Sequence, residues 1–152
     1  MEQTRAALTD RLTEDVDPDA FTAIVRDASE EELAELLASE HRDRVLGEVF
    51  ERMPQRLKRE KAAGVDAVIH WRIGDRPDGG DDLYEIVIAD GDCRVSRTAT
   101  ARPNVTFRIR ASSFLRLIAG ATTGVKLVLG RKLRVEGDMQ LAMRVEGLFE
   151  RG

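Results

Sequence analysis

From Val105 to Ala111 apolar and polar residues alternate, Val-Thr-Phe-Arg-Ile-Arg-Ala, and the alternation ends at Ser112-Ser113, where Phe114-Leu115-Arg116-Leu117-Ile118 reads as a helix. A period of two belongs to a strand with one apolar face, and apolar residues three and four apart belong to one stripe of a helix. A glycine-bounded segment follows from Gly120 to Gly130, then a short strand over 132–136. A last helix carries Met139, Leu141, Ala142, Met143, Val145, Leu148 and Phe149. This final third is rich in apolar side chains and nearly empty of acid–base or nucleophilic chemistry. It suits a protein that holds something apolar rather than one that transforms it.

The same reasoning orders the rest of the chain. Residues 1–12 form a short helix or a loose tail. Asp17-Pro18 marks a helix start, with Asp17 as cap and Pro18 in the first turn, and Phe21, Ile24 and Val25 share one face. Ser29 and Glu32 have the spacing of a capping box, followed by Leu33, Leu36 and Leu37. A third helix holds Val45, Leu46, Val49, Phe50 and Met53, and Met53-Pro54 opens another short helical stretch to about Ala63. Beyond Gly64, Ala67, Ile69, Trp71 and Ile73 alternate with Val68, His70 and Arg72 in a first strand. A turn-rich loop leads to a second strand over 83–89, apolar on both faces and so interior to the sheet. Asp90-Gly91 is a hairpin signal, and strands over 93–98 and 104–111 follow. The expected fold is α+β: a five-stranded, mostly antiparallel sheet with helices packed on one side, preceded by N-terminal helices.

Charge divides the chain near residue 60. Residues 1–60 carry 16 acidic and nine basic side chains, net −7; residues 61–152 carry 12 and 15, net +3. The expected organisation is an acidic helical extension over 1–60 and an α+β domain over 61–152. No apolar run approaches the roughly 20 residues of a membrane span, the N-terminus lacks the pattern of a signal peptide, and one cysteine, Cys93, excludes an intrachain disulfide. A cytoplasmic protein is expected.

The residues that could carry chemistry are few. His41 and His70 have no second ligand at metal spacing, so no metal is expected, and His70 reads as a surface or hydrogen-bonded structural side chain. Cys93 reads as a buried thiol. No nucleophile elbow, zinc motif, phosphate loop or dinucleotide fingerprint is present. Asp138 reads as the N-cap of the last helix. No catalytic residue and no cofactor are expected. Arg94, Arg97, Arg108, Arg110, Arg131, Lys132 and Arg134 give the sheet a basic outer side, but the aromatics that stack bases are missing from it, which argues against nucleic acid. A solvated face, or a docking surface for acidic membranes, remains. Flexible methionines, glycines around a short helix and only 5% aromatic residues suit a cavity with adaptable walls. The competing reading is a protein-interaction or accessory domain with a filled core and no lipid ligand.

Three stretches in register, Pro103-Asn104-Val105-Thr106-Phe107, Phe114-Leu115-Arg116-Leu117-Ile118-Ala119-Gly120 and Gly130-Arg131-Lys132-Leu133-Arg134-Val135-Glu136-Gly137-Asp138, with a closing Leu148-Phe149, resemble the sterol carrier protein 2 (SCP2) domain family over residues 60–152. The N-terminal extension looks like those of bacterial stand-alone members. The resemblance implies helices covering a five-stranded sheet, with an apolar tunnel between them that binds a fatty acid, a fatty acyl-CoA or a sterol-like molecule, and no covalent chemistry. It places the lining on Trp71, Val105, Phe107, Phe114, Leu117, Ile118, Val125, Val128, Met139, Ala142, Met143 and Phe149. The last helix and the segment 125–129 would then form a gate, with Gly124, Gly130 and Gly137 as its hinges. A transient membrane-surface contact and a homodimer are both compatible with this reading. The chain ends Glu150-Arg151-Gly152, without the peroxisomal tripeptide of eukaryotic members.

Overall fold

The computed structural model describes residues 18–149. Three N-terminal helices, α1 (Pro18–Asp27), α2 (Glu30–Leu37) and α3 (Arg42–Arg56), lead through the single turn α4 (Arg59–Ala62) into the sheet. Its first strand, β1 (Ala67–Ile73), is followed by β2 (Asp82–Ala89), β3 (Asp92–Ser96) and β4 (Val105–Ile109). Then come α5 (Ala111–Ile118), α6 (Gly124–Leu129), β5 (Leu133–Gly137) and α7 (Met139–Leu148). The strand order is β3-β2-β1-β4-β5. β1 pairs with β4 in parallel, and the other pairings are antiparallel. The expected α+β sheet is therefore present, as a mixed one.

The period-two pattern sets its two faces. Residues directly opposite in register share a face, so Ile69, Trp71 and Ile73 join Tyr84, Ile86, Val105, Phe107, Ile109, Leu133 and Val135 on the helix-covered side. One apolar cluster runs from Phe21 in α1 to Leu148 in α7 without a break at residue 60. α3 packs over β3, α6 over β5, α7 over β4 and β5, and α1 and α2 pack on α5.

The local signals hold with one exception. Ser29 and Glu32 form the capping box at α2, and Asp138 accepts from the Leu141 amide at the start of α7. α1 begins at Pro18; Asp17, the expected helix at 1–12 and the last three residues lie outside the described residues. Pro54 does not open a new helix but sits in the last turn of α3. Only one helical hydrogen bond is lost there, two residues before the end, so the helix tolerates it.

Two buried polar clusters tie the layers together. Arg42, at the start of α3, is 4% exposed. Its Nε donates to Asp82 Oδ2 at 2.8 Å, and its remaining nitrogens donate to the carbonyls of Leu37, Ile73 and Gly74. One side chain thus closes the end of α2, satisfies the end of β1 and neutralises the 3%-exposed Asp82. Asp82 Oδ1 also accepts from Arg76 and from Arg97, whose guanidinium lies over the Tyr84 ring. Arg97, half-exposed, is thus ion-paired to Asp82 rather than an unpaired member of the basic outer side.

The second cluster lies on the opposite face. Between β3 and β4 the chain crosses back over β2 to reach β1, as a parallel pairing requires. Beneath it His70 Nε2 meets Glu85 Oε2 at 2.9 Å. Glu85 also accepts from the Thr100 hydroxyl and from the amides of Thr100 and Ala101. Burial pushes the Glu85 carboxyl up, but the bonds from Thr100, His70 and the two amides outweigh it and hold it down at about 2. His70 is the hydrogen-bonded structural side chain that its place in the strand suggests.

Two predictions follow from these clusters. Arg42→Ala leaves Asp82 buried and three carbonyls without their donor, and should cost about 3–5 kcal/mol in urea unfolding. Glu85, ordinarily near 4.5, is depressed in the fold. Its contribution is therefore complete above that value and is lost as pH falls toward 2. Glu85→Gln should lower stability at neutral pH and flatten this acid-side decline, read by unfolding curves taken across that range.

Candidate functional site

Five of the seven aromatic side chains form one row across the covered face. Tyr84 stacks on Phe50 at 3.9 Å between ring centroids, Phe50 on Phe114 at 5.1 Å, Phe114 meets Trp71 edge-on at 5.3 Å, and Trp71 stacks on Phe107 at 4.5 Å. On the β2–β3 side of this row the space is filled by α3 and the aliphatic core. On the β4–β5 side it is not. There a hollow of about 410 Å³ opens between the sheet and the C-terminal helices.

Its floor is Trp71, Phe107, Leu133 and Val135. Its walls are Phe21 of α1; Glu48, Val49, Arg52, Met53 and Arg56 of α3; Leu117 and Ile118 of α5; Gly124, Val125, Val128 and Leu129 of α6; Met139, Ala142, Met143, Val145 and Glu146 of α7; and Phe149. The lining offers two carboxylates and two guanidinium groups, and is otherwise apolar. Among the described residues it holds no His, Cys, Ser, Thr, Lys or Tyr. Glu48 and Arg52 pair along one helix face at 3.2 Å. Glu146 Oε1 accepts from the Gly124 amide at 2.6 Å and so pins the start of α6 to α7. Burial pushes the Cys93 thiol up to about 11, but Cys93 and the depressed Glu85 both lie away from the hollow. No group of three or more His, Cys, Asp or Glu among the described residues could hold a metal ion.

Ten of the twelve residues expected to line a tunnel do line the hollow: Trp71, Phe107, Leu117, Ile118, Val125, Val128, Met139, Ala142, Met143 and Phe149. Val105 and Phe114 do not. Val105 lies on the same face as Phe107 but two residues along β4, buried beside Ile69 and Gly137. Phe114 is fully buried inside the aromatic row, where Phe50 and Trp71 cover it. Phe149 arrives from outside the last helix, which ends at Leu148; it is held by an isolated bridge to Leu57. Leu133 and Val135 were legible from their alternation with Arg134, since they share a face with Phe107. The contribution of α1 and α3 was not, because nothing local says which helix crosses which half of the sheet.

Two of the three glycines have a reason to be glycine. A side chain at Gly124 would run into Glu146. Gly137 has a φ of +103°, and its Cβ would collide with the Asn104 carbonyl. Gly130 has a φ of −82°, which any residue adopts. Close approach therefore explains Gly124 and Gly137 without a hinge, and the backbone at Gly130 needs no glycine. Gly137→Ala should cost about 1–3 kcal/mol through backbone strain, plus the collision, with Gly130→Ala milder; thermal denaturation of the two variants checks this order.

The site is thus an apolar hollow between a mixed sheet, covered on one face, and the helices that cover it. The family model of the SCP-2 sterol transfer family matches residues 46–150, and the chain belongs to that family. Comparison with curated proteins gives no match. Among solved structures, the apo form of Sterol Carrier Protein 2 from Yarrowia lipolytica is 17% identical, with a TM-score of 0.55 over 68% of this chain and 86% of that one. Sterol Carrier Protein 2 Like 2 from Aedes aegypti is 17% identical, with a TM-score of 0.51 over 68% and 95%. The stereoselective inverting sec-alkylsulfatase Pisa1 from Pseudomonas sp. is 15% identical, with a TM-score of 0.61 over 99% of this chain but only 30% of the enzyme. These likenesses are of fold. No helix among the described residues is long and apolar enough to cross a membrane.

Proposed function

We propose that the chain is a non-catalytic carrier of a single-chain amphiphile, its acyl part in the hollow. The observation that carries this reading is the hollow itself: about 410 Å³ of space with an almost wholly apolar lining, in a fold whose other half is densely filled. Ten buried methylenes at ~0.8 kcal/mol each give a gross gain of ~8 kcal/mol. After ordering costs this supports micromolar binding that still permits release. A domain that only displays a surface to a protein partner has no use for such a space.

The charged part of the lining supports an anionic head group. Arg52 is paired with Glu48, but the side chain of Arg56, one turn further along α3, makes no ion pair or hydrogen bond among the described residues. A guanidinium at the edge of an apolar pocket suits a carboxylate. This favours a fatty acid, or the fatty acyl part of a larger thioester with its own negative charges, over an uncharged sterol-like molecule.

The chain's only tryptophan lies on the floor of the hollow, so the protein carries its own reporter. Titration with hexadecanoate below its micelle concentration should change Trp71 emission saturably, with micromolar affinity. Arg56→Ala should weaken this binding by about tenfold, the worth of one charge-assisted hydrogen bond. Ala142→Trp, which fills the hollow, should abolish it with the melting temperature unchanged or raised. Saturable binding that Ala142→Trp leaves intact would place the ligand elsewhere. Mass spectrometry of an organic extract of protein purified from its native cells would give the ligand class.

A further inference from the structure

The sheet face that the helices leave uncovered is divided in two. The crossover between β3 and β4 lies over the half that holds His70 and Glu85. On the other half three arginines stand in register. Arg72 of β1 is opposite Arg108 of β4, and Arg108 is opposite Arg134 of β5. Like charges placed directly opposite each other destabilise a sheet. Neighbouring strands lie about 4.8 Å apart, so the three side chains leave the sheet as a row roughly 10 Å long. A chain of net charge −4 gathers this row against its own overall sign.

The row lines a shallow cleft of about 260 Å³. The β1–β2 connection adds Asp75 and Asp81 to it, the end of β4 adds Arg110, and the turn before β5 adds Arg131 and Lys132. Four of the six cations are engaged. Asp81 meets Arg72 at 3.3 Å and Arg108 at 3.6 Å, and Glu136 meets Arg108 at 2.8 Å. Asp75 meets Arg110 at 3.4 Å, and Glu30 of α2 meets Lys132 at 2.9 Å. The side chains of Arg131 and Arg134 are exposed and make no ion pair or hydrogen bond among the described residues. Arg131 is also held at a φ of +60°, which costs energy for a residue with a side chain. Six cations against four carboxylates leave a net charge of +2.

We propose that this cleft binds a linear chain of two or three phosphates, free or as the tail of a nucleotide. Guanidinium groups take phosphate oxygens through paired N–H donors. An anion of this length bridges arginines that the sheet otherwise forces together, whereas a single phosphate does not span the row. No aromatic side chain lines the cleft, so there is nothing on which to stack the bases of a nucleic acid strand. The cleft lies on the opposite side of the sheet from the hollow. It is a second site, and it stands apart from the carrier reading.

The test is calorimetric titration of the full chain with tripolyphosphate, orthophosphate and adenosine triphosphate, with melting curves alongside and sulfate at matched ionic strength as the control. Tripolyphosphate should bind one to one, at least about tenfold tighter than orthophosphate, and less tightly at high salt. It should raise the melting temperature where sulfate does not. R131Q/R134Q should lose about tenfold or more of the affinity, as the loss of charge-assisted hydrogen bonds implies, while taking up hexadecanoate as before. Arg134→Gln breaks no ion pair and thins the repelling row. Without the anion it should therefore melt no lower than the native chain, yet gain less from tripolyphosphate. Equal affinity for tripolyphosphate and adenosine triphosphate would uphold the site as a reader of phosphates alone; a preference for the nucleotide would uphold it with further contacts to the nucleoside. Equal stabilisation by sulfate would reduce the effect to screening and overturn the inference. Binding that survives R131Q/R134Q would place the anion elsewhere and overturn it as well. So would a failure to bind tripolyphosphate, and a single-stranded oligonucleotide that binds the native chain but not R131Q/R134Q would then assign the face to nucleic acid.

Discussion

The row of stacked aromatics across the covered face is the constraint on which the rest depends. A chain with so few aromatic residues places five of its seven in one line, from Tyr84 through Phe50, Phe114 and Trp71 to Phe107. Large flat rings are dense and stiff, and stacked pairs add about 0.5–1.5 kcal/mol each beyond burial. They divide the covered face into a half that is packed and a half that is not. The hollow survives because its floor, Trp71 and Phe107, is held from the packed side and cannot slump into the space. Phe21 and Phe149, the remaining two aromatics, stand at its walls.

Holding a space open costs stability, since its lining forgoes the contacts that a filled core makes. Two polar clusters offset this at a distance. Arg42 and Asp82 lock the N-terminal helices to the ends of β1 and β2. Glu85, with His70 and Thr100, fixes the crossover that brings β4 beside β1. That parallel pairing puts α6 and α7 after the sheet's centre in the chain and over its β4–β5 edge in space. Both clusters lie outside the hollow, so these polar ties do not interrupt its apolar lining. The likeness to part of the alkylsulfatase Pisa1 shows that the same fold also occurs within a larger enzyme chain.

The helical rim gives the hollow a direction. α6 and α7 expose apolar side chains, whereas those of α1, α2 and α3 are buried. Arg56 is on the opposite wall, contributed by the acidic N-terminal part of the chain. That part therefore does more than extend the domain: its third helix supplies one side of the site, and the core is continuous across it.

The sequence by itself determined the elements and the faces they present. Alternation fixed which strand residues point at the helices, because a one-residue slip would bury Arg108 and expose Phe107. The caps at Ser29 and Asp138 fixed two helix starts, since they satisfy their amides within one turn. The hydrophobic stripes on α5 and α7 marked part of the lining, among it Leu117, Ile118, Met139 and Ala142. What only the tertiary structure decided was which apolar residues meet each other and which meet empty space. Val105 and Phe107 are indistinguishable by pattern, yet one is packed and the other floors the hollow. Phe114 looks like Leu117 in a helical stripe, yet it closes the aromatic row. The buried partners of Arg42, 40 residues away at Asp82, and of His70, 15 away at Glu85, also lay beyond local reading. Short-range patterns record which side a residue faces; a cavity is made by elements distant in sequence, and its position is set only when they pack.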